Sequence, residues 1–123
     1  MTVTELKRRV LEKLQVIAAG EEPNYDDATV VGNRYLSLHD MLITEGLINW
    51  TNDESIPAWA EEPIASMVAA FTASDFGIPQ QRWALLQQEG ALNLPGGPSM
   101  AEKQLRTQTA RAFIYSPQAT EYF

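Results

Sequence analysis

The chain has 123 residues, 45% of them apolar, and no cysteine, which allows one modest core and excludes a disulfide framework or thiolate chemistry. Its formal charge of -7 argues against a tight nucleic-acid binder, because displacing counterions needs a broad basic surface. No apolar run approaches the length of a membrane span, and Met1-Thr2-Val3-Thr4-Glu5 lacks the basic flank and apolar stretch of a secretory signal, so synthesis in the cytoplasm is expected.

The predicted elements are helices. Thr2 and Glu5 have capping-box spacing, and Val3, Leu6, Val10, Leu14 and Ile17 recur every three or four residues up to Gly20, a natural terminator. A second helix begins near Asp26-Asp27, carries the stripe Val31, Tyr35, Leu38 and Leu42, and stops at Gly46. Gly32 inside that stripe weakens the helix or permits a close helix contact. Leu47 to Trp59 reads as an ordered loop whose Ile48, Trp50, Ile56 and Trp59 cover one end of the core.

Pro63 fits the first turn of a third helix with the stripe Ile64, Met67, Val68 and Phe71, ending by Gly77. Its many alanines make it thin and suit it to a central position. Ile78-Pro79 restarts the chain, and Trp83, Leu86 and Gly90 frame a short fourth helix. After the break Leu94-Pro95-Gly96-Gly97-Pro98, Ser99 and Glu102 repeat the capping-box spacing, and a fifth helix runs to about Arg111. The expected fold is all-α, a small bundle of four to five helices: residues 1–112 form the domain, and residues 113–123, with no helical period and a proline, form an extended C-terminal tail.

Chemistry is hard to find in this pattern. His39 has no partner at metal-ligand spacing, so a surface or hydrogen-bonded helix histidine is expected and no metal or cofactor. No serine lies in a Gly-x-Ser-x-Gly turn. The pairs Glu21-Glu22, Asp26-Asp27, Asp53-Glu54 and Glu61-Glu62 are adjacent in sequence, and adjacent helical side chains diverge by about 100°. The glycine-rich Pro-Gly-Gly-Pro lacks the Lys-Ser/Thr ending of a phosphate loop. No catalytic residue is assigned. Trp50, Trp59 and Trp83 are expected in the core. The segment Phe113-Ile114-Tyr115 to Tyr122-Phe123 is expected to be too irregular to bury its rings in its own core, which leaves them to meet a partner or fold back on the domain.

The charge is local. Residues 1–20 hold four basic side chains against two acids, residues 21–62 hold ten acids against Arg34 alone, and residues 63–123 hold four of each. The acidic middle suits a solvated face, or a wall past which DNA slides without sticking.

In order, the chain shows a Leu-x-x-Leu helix ending in Gly-Glu, an acidic start to helix two and a Glu-Gly turn. An alanine-rich helix Met67-Val68-Ala69-Ala70-Phe71 closing in Phe76-Gly77 follows, then an alanine/arginine helix with a Tyr-Ser-Pro tail. This order resembles the head-to-tail adaptors of tailed bacteriophages, the tail accessory, packaged-DNA-stabilisation or head-completion factors. The resemblance implies a non-enzymatic virion protein of the head-tail neck. It forms a homo-oligomeric ring, typically of about twelve copies, beneath the portal. The ring extends the DNA channel, retains packaged DNA without reading its sequence, and receives a tail or nozzle protein.

By the same resemblance Phe113, Ile114, Tyr115, Tyr122 and Phe123 would contact the portal. Lys7, Arg8 and Arg9 are candidates for the subunit interface, pairing with acids of a neighbour. The alternative expectation is a small acidic helical regulator that binds a single host partner.

Overall fold

The computed structural model describes the backbone of residues 1–114 and side chains through residue 110. Five α-helices and two short 3-10 turns account for its regular structure, and no strand occurs among the described residues. Helix α1 spans Val3–Lys13, α2 Tyr25–Thr44, α3 Glu61–Thr72, α4 Gln80–Gly90 and α5 Met100–Ile114. The all-α expectation is met.

Local signals set most of the ends. Thr2 caps α1 by accepting from the Glu5 N–H, and Asn24 caps α2 by accepting from the N–H groups of Asp26 and Asp27. At the other end of α2, Gly46 turns left-handed while Gly46 N–H bonds the Ile43 carbonyl and Leu47 N–H the Leu42 carbonyl. That double bond is a Schellman stop, with Leu42 and Leu47 both buried beside it.

Helix α1 ends earlier than expected. Gln15 already turns left-handed (φ 60°), five residues before Gly20, and the N–H groups of Gln15 and Val16 bond the carbonyls of Glu12 and Leu11. The helix therefore closes at Lys13, and Val16 and Ile17 pack on the core from the connector rather than from a helical stripe.

Helix α3 is the centre of the molecule and touches each of the other four. Ala65 and Ala69 are fully buried on it, and small side chains are what let four neighbours approach one helix axis. Two glycines mark the tightest crossings. A Cβ on Gly32 would lie 2.8 Å from the Lys7 side chain, where α1 crosses α2. A Cβ on Gly90 would lie 2.1 Å from the Ser66 carbonyl oxygen, where α4 crosses α3.

The 47–59 connector closes one end of the core with Leu47, Ile48, Trp50 and Ile56, all buried. Trp50 is pinned at both ends: its indole N–H donates to the Tyr35 hydroxyl at 3.1 Å, and its carbonyl accepts from His39 Nε2 at 2.7 Å. Trp59 and Trp83 depart from the expectation of burial. Each keeps about 40% of its surface exposed, Trp59 edge-on to Trp50 in a single 3-10 turn and Trp83 on α4.

At the C-terminal end α5 continues to Ile114, three residues beyond Arg111. Phe113 and Ile114 therefore begin in helix rather than in an extended tail. Alanines 110 and 112 favour continuation, and the first residue that opposes a helix is Pro117. Tyr115, Tyr122 and Phe123 lie outside the described residues.

Candidate functional site

An open cleft of about 430 Å³ lies between α2, α3, α4 and the turn that follows α4. Helix α2 contributes Met41 and Arg34, α3 contributes Met67 and Phe71, α4 contributes Trp83, and the turn contributes Leu92. The close approach of Gly90 to Ser66 brings α4 against α3 at its base. The turn is fixed from outside: Asn93 adopts a left-handed conformation (φ 57°), and its N–H donates to Glu102 Oε1 at 3.2 Å. Glu102 thus reaches Asn93 instead of its own helix N-cap, while Ser99 still accepts from the Glu102 N–H.

The mouth carries one ion pair. Arg34 Nε and Nη2 donate to the two carboxylate oxygens of Asp75 at 2.7 and 2.9 Å, and its guanidinium lies 5.2 Å from the centre of the Phe71 ring. The hydrogen bonds from Arg34 hold the Asp75 carboxyl below the usual aspartate range and, reciprocally, raise the Arg34 guanidinium. Both groups are partly exposed, so solvent screening leaves this pair worth less than about 1 kcal/mol. Gln87 on α4 donates to the Ala70 carbonyl of α3 at 2.8 Å. The result is an apolar, methionine-rich trough whose one cation is already neutralised. It is suited to an uncharged or aromatic side chain, not to an anion.

A second exposed apolar feature runs along α2. Tyr25, Leu36 and Ile43 are 82%, 47% and 43% exposed. Their separations of 11 and 18 residues place all three within about 20° of one line some 27 Å long, which the Lys7 stem interrupts at Gly32, between Tyr25 and Leu36.

Three of the four basic residues of α1 have acidic partners within the chain. Arg8 pairs with Glu22 at 2.7 Å; Arg9 and Lys13 both pair with Glu62, the latter at 3.1 Å. Burial and the neighbouring Arg9 lower the Lys13 ammonium. Lys7 lays its stem over Gly32. Glu62 stands on the first turn of α3, eight residues or about 12 Å from Ala70 at the cleft, so the α1 cluster and the cleft are separate sites.

The adjacent acids diverge. Glu61 faces the Met1 amine while Glu62 faces Arg9. Asp53 and Glu54 are an exception in converging on one group, the Thr51 hydroxyl, at 2.6 and 2.8 Å. Its hydrogen bond lowers the Asp53 carboxyl. His39 is buried and spent on the Trp50 carbonyl. No group of three or more His, Asp or Glu side chains able to hold a metal occurs among the described residues.

Sequence reasoning did not find the cleft. Its one available signal was Arg34, the single base among ten acids, since a lone cation there needs a specific partner. Comparisons with protein-family models, curated proteins and solved structures give no match to this chain.

Proposed function

We propose that this chain is a structural assembly subunit, a head-to-tail adaptor of a tailed phage, that works by joining copies of itself into a ring and gripping a portal protein. The order of its elements supports the family reading, as set out above. The observation that carries the assembly reading is the α2 stripe: three large apolar side chains aligned over five helical turns on the outside of a chain whose core is already closed.

Charge argues for the ring over a two-fold dimer. An antiparallel pairing of α2 with its own copy would bring Asp26 and Asp27 towards Asp40 and Glu45, acid against acid. The stripe is better matched by a different patch on the next copy, a head-to-tail contact of the kind that closes into rings. In this reading Phe113, Ile114, Tyr115, Tyr122 and Phe123 reach the portal, and the acidic residues of 21–62 face the channel or the tail-side protein.

The internal pairing of Arg8 and Arg9 favours a second reading, a monomeric acidic regulator with one host partner, because it leaves those cations less available to a neighbour. Co-expression with a portal encoded beside the gene separates the two. A particle weighing a portal plus a ring of this chain supports the adaptor; a monomer that ignores the portal supports the regulator.

A further inference from the structure

We infer, resting on the ring reading, that the cleft between α2, α3 and α4 receives Leu36 and Ile43 of a second copy of this chain. These two side chains stand about two helical turns apart on one side of α2, each more than 40% exposed. Tyr25 is left out, because the Lys7 stem cuts it off from Leu36. Arg34 and Met41, which α2 contributes to the cleft, lie about 140–180° around the helix from Leu36 and Ile43. One chain therefore carries an apolar ridge and an apolar trough on opposite sides of the same helix.

That opposition decides the kind of contact. A two-fold pair would need ridge and trough on the one face turned to the partner. Patches that look away from each other instead join copies head to tail, each ridge seated in the next copy's trough. Positions i and i+7, which Leu36 and Ile43 occupy, are the anchor spacing of a helix laid in a groove. The walls open to receive them are Met41 and Trp83, each 39% exposed.

Charge selects these patches from the rest of a surface that, at -7 overall, repels its own copies. No acid lines the cleft. Its one base, Arg34, spends Nε and Nη2 on Asp75, while Nη1 meets no acid among the described residues. Between Leu36 and Ile43 the one acid is Asp40, which is exposed. Seating the ridge puts apolar side chains into the trough and brings Asp40 to the mouth, where Arg34 stands. A rim pair of this kind sets register more than it adds affinity.

The chain has no cysteine, so introduced thiols report alone. The test uses the full chain in the particle formed by co-expression with the portal, with Ile43→Cys on the ridge and Ser74→Cys in the cleft lining. A short thiol-to-thiol crosslinker should give a ladder of covalent multimers from the double variant and none from either single variant. Leu36→Asp/Ile43→Asp should lose the ring from the particle while keeping the thermal unfolding midpoint of the wild type. A particle of full ring mass with no ladder, or a ring that survives the two aspartates, would overturn the inference and leave the ring reading standing. Dimers from Ile43→Cys alone would also overturn it, as a two-fold contact. A wild-type particle without any ring would defeat the ring reading itself, and this inference with it.

Discussion

Gly90 of α4 lies against Ser66 of α3 so closely that a Cβ would come within 2.1 Å of the Ser66 carbonyl oxygen. The obstacle is backbone, so it cannot be relieved by turning a side chain. An exposed helical glycine normally gains up to about 1 kcal/mol on replacement by alanine. Here the sign should reverse: Gly90→Ala should destabilise by about 1–3 kcal/mol and push α4 outward, widening the cleft. Urea unfolding reads the first effect and Trp83 fluorescence the second. A stabilised variant would mean the helices are not in this contact.

The Tyr35 hydroxyl receives the Trp50 indole N–H in a buried setting. Tyr35→Phe keeps the ring and strands the donor, which should cost about 1–3 kcal/mol. Burial also raises the Tyr35 phenol above its ordinary 10.0. A raised folded value means the stabilisation is complete below the unfolded value and declines as pH rises through the folded one. Wild-type stability should therefore fall above about pH 10, and part of that fall should be missing in Tyr35→Phe.

Asp75 carries the opposite dependence. Its hydrogen bonds from Arg34 hold it below the ordinary 3.8, so its contribution is present at neutral pH and is lost as pH falls below about 4. The pair is partly exposed, so less than about 1 kcal/mol is at stake. Asp75→Asn should flatten the acid limb of a stability-pH profile by that amount while leaving the fold unchanged. An acid limb identical to wild type would place the titration elsewhere.

The Arg9–Glu62 pair separates two roles for α1. Arg9→Glu should cost under about 1 kcal/mol of monomer stability, and the exchange Arg9→Glu/Glu62→Arg should restore it. If Arg9 also meets a neighbouring subunit, as the subunit-interface expectation holds, the exchange will restore stability but not ring formation. Thermal unfolding and particle mass on the same samples distinguish these results.

Much of the architecture was legible because local chemistry and packing agree. Thr2, Gly46 and Ser99 each act at a helix end, the stripe of α2 is buried, and the alanines of α3 do mark the central helix. The misses have physical causes. Gln15 ends α1 in a backbone state that glycine favours but does not monopolise, so no residue type announced it. Trp59 and Trp83 are as apolar as Trp50, and only tertiary placement decides which of the three has a lid over it. The cleft depends on Gly90 meeting Ser66 across two helices and on Arg34 finding Asp75 forty-one residues away, relationships that no local spacing encodes.

The central claim is tested most directly by the mass of the particle formed when the full chain meets its portal, compared with Tyr115→Ala/Tyr122→Ala/Phe123→Ala. The account predicts a portal carrying a ring of this chain, and loss of that ring in the triple variant. A chain that remains monomeric beside the portal, or a ring that forms equally well without the three aromatic side chains, would contradict it.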